Sequence, residues 1–396
     1  MSSFRRGSKR RSALRALARR GALAALIVVG AITAWRAVQE REPALRVTGP
    51  EVIVFDWSKQ ACEPTDYPDL PTRALRDSGD AVTLTIPHMT NRRLVGPDFD
   101  RLSHPCGATL KSHREADPDR WNDREWVAST WTPDGTTVYA LLHNEYQGRR
   151  HPGRCPSGVY QRCWWNAVTH AVSTDGGRTF MHATPPRHVV LKPSAPYMPD
   201  AGPVGVFAPS NIVRSPSDGW LYALVHVEEL DGKSGVCLIR TRTPGIAPSW
   251  QTWRPTGFEV PARRSAAACE LVAPDRISTL SSSLTWNTEL DRYVLVGTMA
   301  FVREGEAKPG VWYATSENLH DWSVPIRILE AELPSTYRCG DPDPIAYPSL
   351  IDPDSGSRNF DVSGRRALLY FTRMHYEGCR QTEDRDLVRV PVEIGR

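Results

Sequence analysis

The sequence predicts an all-β fold, a five-bladed β-propeller, on three observations. A seven-residue pattern, Tyr-Ala-Leu-x-His-x-Glu, occurs at residues 139–145 and again at residues 222–228. Short alternating runs bounded by Gly, Pro, Asp and Asn recur along the chain, whereas helical periodicity is nearly absent. The 33 prolines also argue against long helices. A strand pattern that repeats about 80 residues later is typical of a fold built from repeated blades.

The N-terminal segment differs in composition from the rest of the chain. Residues 1–20 contain eight Lys or Arg residues and no acidic residue, and residues 21–37 begin with an uncharged, mostly apolar run. A basic flank followed by such a run is typical of a signal-anchor whose basic end stays in the cytoplasm. A cleaved signal peptide and a buried soluble helix are the alternatives, because the run is shorter than the roughly 20 residues of a comfortable span.

We therefore expect a basic cytoplasmic tail (1–20), a signal-anchor or transmembrane segment (21–37) and a β-propeller domain (48–396). The domain would lie outside the cytoplasm, in the periplasm or the extracellular space, with the membrane as a partner. The oligomeric state stays open.

The net charge of +4 comes from the tail. Without its eight basic residues the chain has 41 basic and 45 acidic residues, a balance of −4. The remainder has no run of Lys or Arg that would indicate nucleic-acid binding. Nucleotide, metalloprotease and serine-hydrolase signatures are also absent from the sequence, so we predict no cofactor.

All eight cysteines follow the apolar segment, which favours disulfides in an oxidising compartment. Their spacing suggests that each cysteine pairs with its neighbour in the sequence, which is one of the 105 connectivities that eight cysteines allow. Free buried thiols are the alternative. The predicted pairs are 62–106, 155–163, 237–269 and 339–379.

The strands of the predicted blades can be aligned with one another. The inner strands are predicted at 125–129, 210–213, 282–286 and 348–351. The second strands are predicted at 138–143, 221–226, 293–298 and 367–372. The third strands are predicted at 167–180, 235–250, 310–322 and 386–394. Residues 52–56 and 81–88 supply a fifth, less regular unit, with 52–56 as its inner strand.

One turn has a distinct signature, since residues 173–180 read Ser-x-Asp-x-Gly-x-Thr-Phe. We expect Asp175 to accept backbone hydrogen bonds across its own turn, Gly to adopt a left-handed conformation, and Phe180 to pack under the blade. Residues 316–322 are a degenerate copy. The pattern resembles the Asp-box of sialidases and related propellers, and it supports a fold without indicating a function.

With these blade patterns, residues 50–396 resemble the five-bladed propeller glycosidases, the arabinanase, xylosidase and invertase-like enzymes. The resemblance implies carboxylates that project from inner strands into a central funnel and act on a carbohydrate. In such glycoside hydrolases the separation of two carboxylates determines the stereochemical outcome. The rival hypothesis is a non-catalytic propeller that binds cell-envelope glycans or a protein partner through the same face. The sugar stays open.

Four carboxylates are candidate catalytic groups. Asp56 ends the predicted first inner strand, where the resemblance implies an acidic residue, and Glu125 opens the next inner strand together with Asp123. Glu145 and Glu228 end the two copies of the repeated pattern, where partial burial would suit a general acid. Each also has a structural alternative. Asp56 could cap a turn, Glu125 could be a solvated residue at the strand entry, and the repeated Glu145 and Glu228 could be structural.

A second set of residues would bind the substrate. His88, His143 and His226 occupy similar strand ends and could orient a sugar hydroxyl or hold a metal, with hydrogen bonds between blades as the alternative. We assign no metal site to them. The other candidates lie at inner-strand starts, on the last blade and in a long loop: Asn211, Tyr347, Arg373 and Trp164.

Overall fold

Strands dominate the part of the chain that the structure, a computed structural model, describes: residues 43–303 and 306–395. Helices in this part are few and short: α1 (Trp57–Gln60) and α2 (Pro274–Ile277) have four residues each. The 3-10 helices are Pro118–Arg120, Gly148–Arg150, Gln161–Cys163, Ala247–Ser249, Ala262–Arg264 and Ala266–Ala268. The fold is therefore all-β, and it is consistent with a β-propeller.

The predicted cytoplasmic tail and signal-anchor lie outside the described residues. Among residues 43–303 and 306–395, the structure contains no helix with the length and apolar character needed to cross a membrane.

The first two strands, β1 (Ala44–Val47) and β2 (Val52–Phe55), both pair with the last strand of the chain. The prediction that residues 52–56 form the inner strand of the first blade is therefore wrong. An inner strand is covered on both faces, whereas the side chains of Val52 and Ile53 are 44% and 53% exposed. A short apolar run does not by itself distinguish an edge strand from an inner one.

The strands of the domain form five sheet units, which we number I to V. Unit I consists of β3 (Ala74–Arg76), β4 (Val82–Ile86), β5 (Thr90–Gly96) and β6 (Leu110–Lys111). Unit II consists of β7 (Arg124–Trp131), β8 (Val138–Gln147), β9 (Trp164–Ser173), β10 (Met181–His182) and β11 (Val189–Leu191). The strand predicted at 81–88 is confirmed as the second strand of unit I.

Unit III consists of β12 (Val204–Val206), β13 (Val213–Arg214), β14 (Leu221–Glu228), β15 (Ser234–Thr241), β16 (Gln251–Arg254) and β17 (Gly257–Glu259). Strand β12 pairs antiparallel with β14 and parallel with β9, so units II and III share one sheet. Only Val213 of the predicted inner strand at 210–213 is in a strand.

Unit IV consists of β18 (Ser283–Asn287), β19 (Arg292–Arg303), β20 (Glu306–Ser316) and β21 (Ile326–Glu330). The next strands are β22 (Ile345–Ile351), β23 (Val362–Ser363), β24 (Arg366–Glu377) and β25 (Arg380–Gly395). Strand β23 joins unit IV, and the others form unit V in the order β22-β24-β25-β1. The N-terminal strand therefore completes the last unit. The predicted second strands all coincide with observed ones.

Apolar clusters fill the space between consecutive units and also between the last unit and the first. Leu75 of unit I packs in one cluster with Val127 and Val138 of unit II, for example. Leu84 of unit I packs in another with Tyr370 of unit V. Because the fifth unit returns to the first, the five units close into a ring.

Arg73 lies at the centre of this ring and is fully buried. Its Nε donates to the carbonyl oxygen of Ala128 at 2.8 Å, and its Nη2 donates to those of Pro209 at 3.0 Å and Ser282 at 2.8 Å. Ala128 lies in β7 of unit II, Pro209 lies between β12 and β13 of unit III, and Ser282 directly precedes β18 of unit IV. One side chain thus ties the inner ends of three units together, and its burial lowers the pKa of Arg73 to about 9.

All four predicted disulfides are confirmed. They join Cys62 to Cys106, Cys155 to Cys163, Cys237 to Cys269, and Cys339 to Cys379.

The turn at residues 173–180 has the expected hydrogen bonds. Asp175 Oδ1 accepts from the backbone N–H groups of Arg178 and Thr179, both at 2.9 Å. Gly177 has a left-handed φ of 79°, and Phe180 is buried. Burial by itself would raise the pKa of Asp175, but the hydrogen bonds from Ser173 and Thr179 lower it to about 2.

Candidate functional site

One end of the ring gathers polar and aromatic side chains from several units. In each antiparallel unit the start of the inner strand lies beside the end of the second strand, so Arg124 pairs with Glu145 and Trp126 with His143. We call this set the rim cluster. Its members are Asp69, His88, Arg124, Trp126, His143, Glu145, Tyr160, Trp164, Phe207, His226, Glu228, Tyr347 and Arg385.

Asp69 is the carboxylate that sequence reasoning missed. Its Oδ1 accepts hydrogen bonds from Arg385 Nη1 at 2.5 Å and from the Tyr347 hydroxyl at 3.3 Å. Its Oδ2 lies 3.8 Å from His88 Nε2, and the side chain is a quarter exposed. Tyr347 has a left-handed φ of 57°, a conformation that bulky residues rarely adopt and that is often found at functional sites. Two predicted residues, His88 and Tyr347, therefore surround an unpredicted one.

Glu145 is held in a closed arrangement with Arg124 and Tyr160. Arg124 Nη2 forms an ion pair with Glu145 Oε1, and the Tyr160 hydroxyl donates to the same oxygen. Arg124 Nη2 also donates to the Tyr160 oxygen at 3.0 Å. The side chains of Arg124 and Glu145 are almost completely buried, and burial lowers the pKa of Arg124. The charge of Glu145 is therefore compensated within the protein.

The predicted histidines have different environments. His143 is buried between aromatic rings, with centroid distances of 5.6 Å to Trp126 and 6.4 Å to Phe207. This burial lowers the pKa of His143 to about 4, and burial also lowers the pKa of His88. His143 is thus a neutral ring near pH 7.

His226 and Glu228 contact each other in a partly exposed part of the rim. His226 Nε2 lies 2.7 Å from Glu228 Oε1, and the other ring nitrogen lies 3.1 Å from the carbonyl oxygen of Ser278. Ser234 Oγ donates to the same Glu228 oxygen at 2.9 Å. The second carboxylate oxygen of Glu228 has no hydrogen-bond partner among these residues.

Trp164 lies between Tyr160 and Phe207 in the rim cluster. Its ring lies 5.3 Å from Phe207, in an edge contact, and 5.9 Å from Tyr160. Trp164 is partly exposed, whereas its neighbour Trp165 is fully buried. A partly exposed aromatic ring near carboxylates is a typical surface for stacking a sugar ring.

Two predicted residues, Asp56 and Asn211, have their hydrogen bonds elsewhere. Asp56 accepts from Ser58 Oγ at 2.6 Å and from Lys59 Nζ at 2.5 Å, beyond the outer strand β2. The Asn211 side chain accepts from Leu284 N and donates to Leu284 O, so it ties unit III to unit IV. The structure does not bring these residues to the rim.

Arg373 and Glu125 also point away from the rim cluster. Arg373 Nη2 donates to Glu51 at 2.7 Å and lines a separate cavity of about 510 Å³ with Lys308 and Arg327. A second cavity of about 610 Å³ lies beside Trp131, near the far end of β7. Neither cavity contains a rim residue. Glu125 faces the side of β7 opposite Arg124, where it meets two histidines.

No family model matches the sequence, and no similar curated protein was found. The chain is similar to several solved structures. The catalytic domain of a Coprinopsis cinerea GH62 α-L-arabinofuranosidase is 9% identical, with a TM-score of 0.49, over 88% of this chain and 96% of that chain. A Podospora anserina α-L-arabinofuranosidase in complex with cellotriose is 9% identical, with a TM-score of 0.48, over the same shares.

A Cellvibrio cellulosa α-L-arabinanase complexed with arabinohexaose is 10% identical, with a TM-score of 0.45, over 80% of this chain and 91% of that chain. Likenesses this distant do not establish a shared activity.

Proposed function

We propose that the chain is a membrane-anchored, extracytoplasmic glycoside hydrolase on a five-bladed β-propeller, with the rim cluster as its carbohydrate site. The observation that supports this proposal is the combination of three carboxylates, Asp69, Glu145 and Glu228, from units I, II and III with the aromatic rings of Trp164 and Phe207. Hydrolysis of a glycosidic bond requires two carboxylates at one sugar, and aromatic rings stack on the faces of sugars.

Asp69 and Glu228 are the carboxylates that we assign to the chemistry. Arg385 and Tyr347 both bond Oδ1 of Asp69, so Oδ2, which lies 3.8 Å from His88 Nε2, would accept a proton from an attacking water. Glu228 keeps one oxygen outside its bonds to His226 and Ser234, and that oxygen would donate a proton to the departing glycosidic oxygen. Glu145 is a positioning residue in this scheme, because its side chain is buried and its charge is compensated by Arg124.

The pairing of Glu145 with Arg124 and Tyr160 also favours a second candidate function, which is non-catalytic binding of a cell-envelope glycan or a protein partner. A binding surface needs aromatic rings and neutral polar groups but no pair of reactive carboxylates. The rim would then serve recognition only.

Activity measurements separate the two functions. The full chain, with its disulfides formed, would be assayed against a panel of aryl glycosides and cell-envelope polysaccharides. We expect Asp69→Asn to reduce turnover by about 100-fold or more, as for loss of a general base. Asp56→Asn is the matched control, since Asp56 lies beyond the outer strand of unit V, and it should retain wild-type turnover.

Failure of the wild-type chain to turn over any substrate, together with saturable glycan binding that survives Asp69→Asn, would contradict the hydrolase and support the binding protein.

The extracytoplasmic location is supported by four disulfides and by the basic and apolar N-terminal pattern. Protease added outside the cytoplasmic membrane should therefore reach the domain in spheroplasts. Protection of the domain until the membrane is lysed would contradict this location.

A further inference from the structure

A second polar cluster lies on the face of β7 opposite the rim cluster. It consists of Glu125 at the start of β7, His182 on the edge strand β10, and His113 in the loop after β6. Glu125 Oε2 lies 2.7 Å from His182 Nδ1 and 3.5 Å from His113 Nδ1, and one ligand atom from each residue lies within 4.8 Å of the others. We propose that these three residues bind a divalent transition-metal ion of the zinc type.

The side chains of Glu125 and His182 meet in the buried part of this cluster. Glu125 Oε2 and His182 Nδ1 are both buried and 2.7 Å apart, and neither has another hydrogen-bond partner. The other ring nitrogen of His182, Nε2, lies 3.2 Å from the carbonyl oxygen of Lys111. A carbonyl only accepts, so the proton of a neutral His182 is on Nε2 and Nδ1 has its lone pair. In this tautomer His182 Nδ1 and Glu125 Oε2 both offer lone pairs to the cluster, and a cation bound there would compensate the charge of the carboxylate.

The donor set suits zinc. Two imidazole nitrogens and one carboxylate oxygen are a known zinc set that leaves the fourth position open to water. A metal-binding histidine usually donates its second N–H to a backbone carbonyl or a carboxylate, as His182 does to Lys111. Thr169 Oγ1 donates to the other oxygen of Glu125 at 3.5 Å, which fixes the orientation of the carboxylate.

The cluster is accessible, because the His113 side chain is 46% exposed while that of Glu125 is 2% exposed. An ion could therefore enter from the surface at His113 and reach the buried carboxylate. The three ligands come from separate segments, so the ion would connect the short edge strand β10 to the inner strand β7 and to the loop that follows unit I. This role is structural and does not depend on the proposed glycoside hydrolysis.

Zinc titration of the full chain tests the proposal. The protein would carry no histidine tag, would be treated with chelator and dialysed, and would be titrated with ZnCl₂ by calorimetry and in thermal unfolding. We expect one Zn²⁺ per chain at this site and a Tm that rises with the Zn²⁺ concentration, since an ion that binds the folded state stabilises it.

His113→Ala should weaken this binding by about tenfold or more. Because His113 is half-exposed, the variant should keep the fold, which circular dichroism would verify. His320→Ala is the matched control, since His320 is also partly exposed but pairs with Asp321 in unit IV. Absence of saturable Zn²⁺ binding, or equal affinities of His113→Ala and the wild type, would overturn the proposal and leave the cluster as an ion pair between histidines and a carboxylate.

Discussion

The two copies of Tyr-Ala-Leu-x-His-x-Glu form the same element in units II and III but have different surroundings. Both form the second strand of their unit, β8 and β14. In unit II, His143 and Glu145 are buried and do not bond each other, because Glu145 is paired with Arg124. In unit III, His226 and Glu228 are partly exposed and bond each other at 2.7 Å.

The cross-strand neighbour explains the difference. The residue opposite Glu145 is Arg124, whose guanidinium compensates the carboxylate. The residues opposite Glu228 are Gly205 on β12, which has no side chain, and Ser234 on β15, whose hydroxyl donates to the carboxylate without a compensating charge. Directly opposed residues on neighbouring strands interact most strongly. The repeated pattern therefore determines that a strand forms. The partner strand determines whether the carboxylate at its end is paired with a cation or is available to a ligand.

Removing the charge at each copy should give unequal losses of stability, which is the largest effect we expect. Glu145→Gln leaves the buried guanidinium of Arg124 without its counter-charge, and breaking a buried ion pair from one side costs about 3–5 kcal/mol. Glu228→Gln removes a partly exposed charge, for which about 1 kcal/mol or less is typical. Urea unfolding of both variants beside the wild type gives the two differences.

Equal losses in the two variants would show that the Arg124 pair does not distinguish the units. The double variant Arg124→Met with Glu145→Met is a further control, since replacing both charges should restore much of the lost stability.

A smaller effect should appear in the pH dependence of stability. Burial lowers the pKa of His143 from 6.5 to about 4, so between these values the unfolded chain binds a proton that the folded chain does not. The contribution of His143 is therefore fully present above about pH 6.5 and is lost as the pH falls towards 4, by on the order of 3 kcal/mol. His143→Gln should remove this part of the slope.

Unfolding free energies measured from pH 7 to pH 4 test the assignment, with His226→Gln as the matched variant of unit III. A His143→Gln profile that stays parallel to the wild-type profile would contradict the buried, neutral ring.

The sequence predicted local features better than distant pairings. The second strands and the disulfides were predictable, because period-two runs and the order of cysteines are local patterns. Asp69 was missed because it lies in a loop, Tyr-Pro-Asp-Leu, with no periodicity to mark it. Asp56 was misplaced for another reason, since β2 looks like any short apolar strand and its partner β25 lies at the other end of the chain.

Glu125 and Arg124 show why the site could not be assigned residue by residue. Both open the same strand, and the alternation of faces sends one to the rim and the other to the two histidines. The sequence predicts that the side chains of two consecutive strand residues face opposite sides of the sheet. Which of the two faces the rim depends on the packing of the whole ring.

The closure of the ring by β1 and β25 has a consequence for the order of events during synthesis. Thr48 and Pro391, which bond across this junction, are 343 residues apart. At roughly 5–20 residues per second, the ribosome needs on the order of 20–70 s to make the intervening chain. Strand β1, the first strand of the described residues, is therefore among the last to find its partner, and until then the side chain of Leu45, which is buried in the finished domain, stays exposed to solvent.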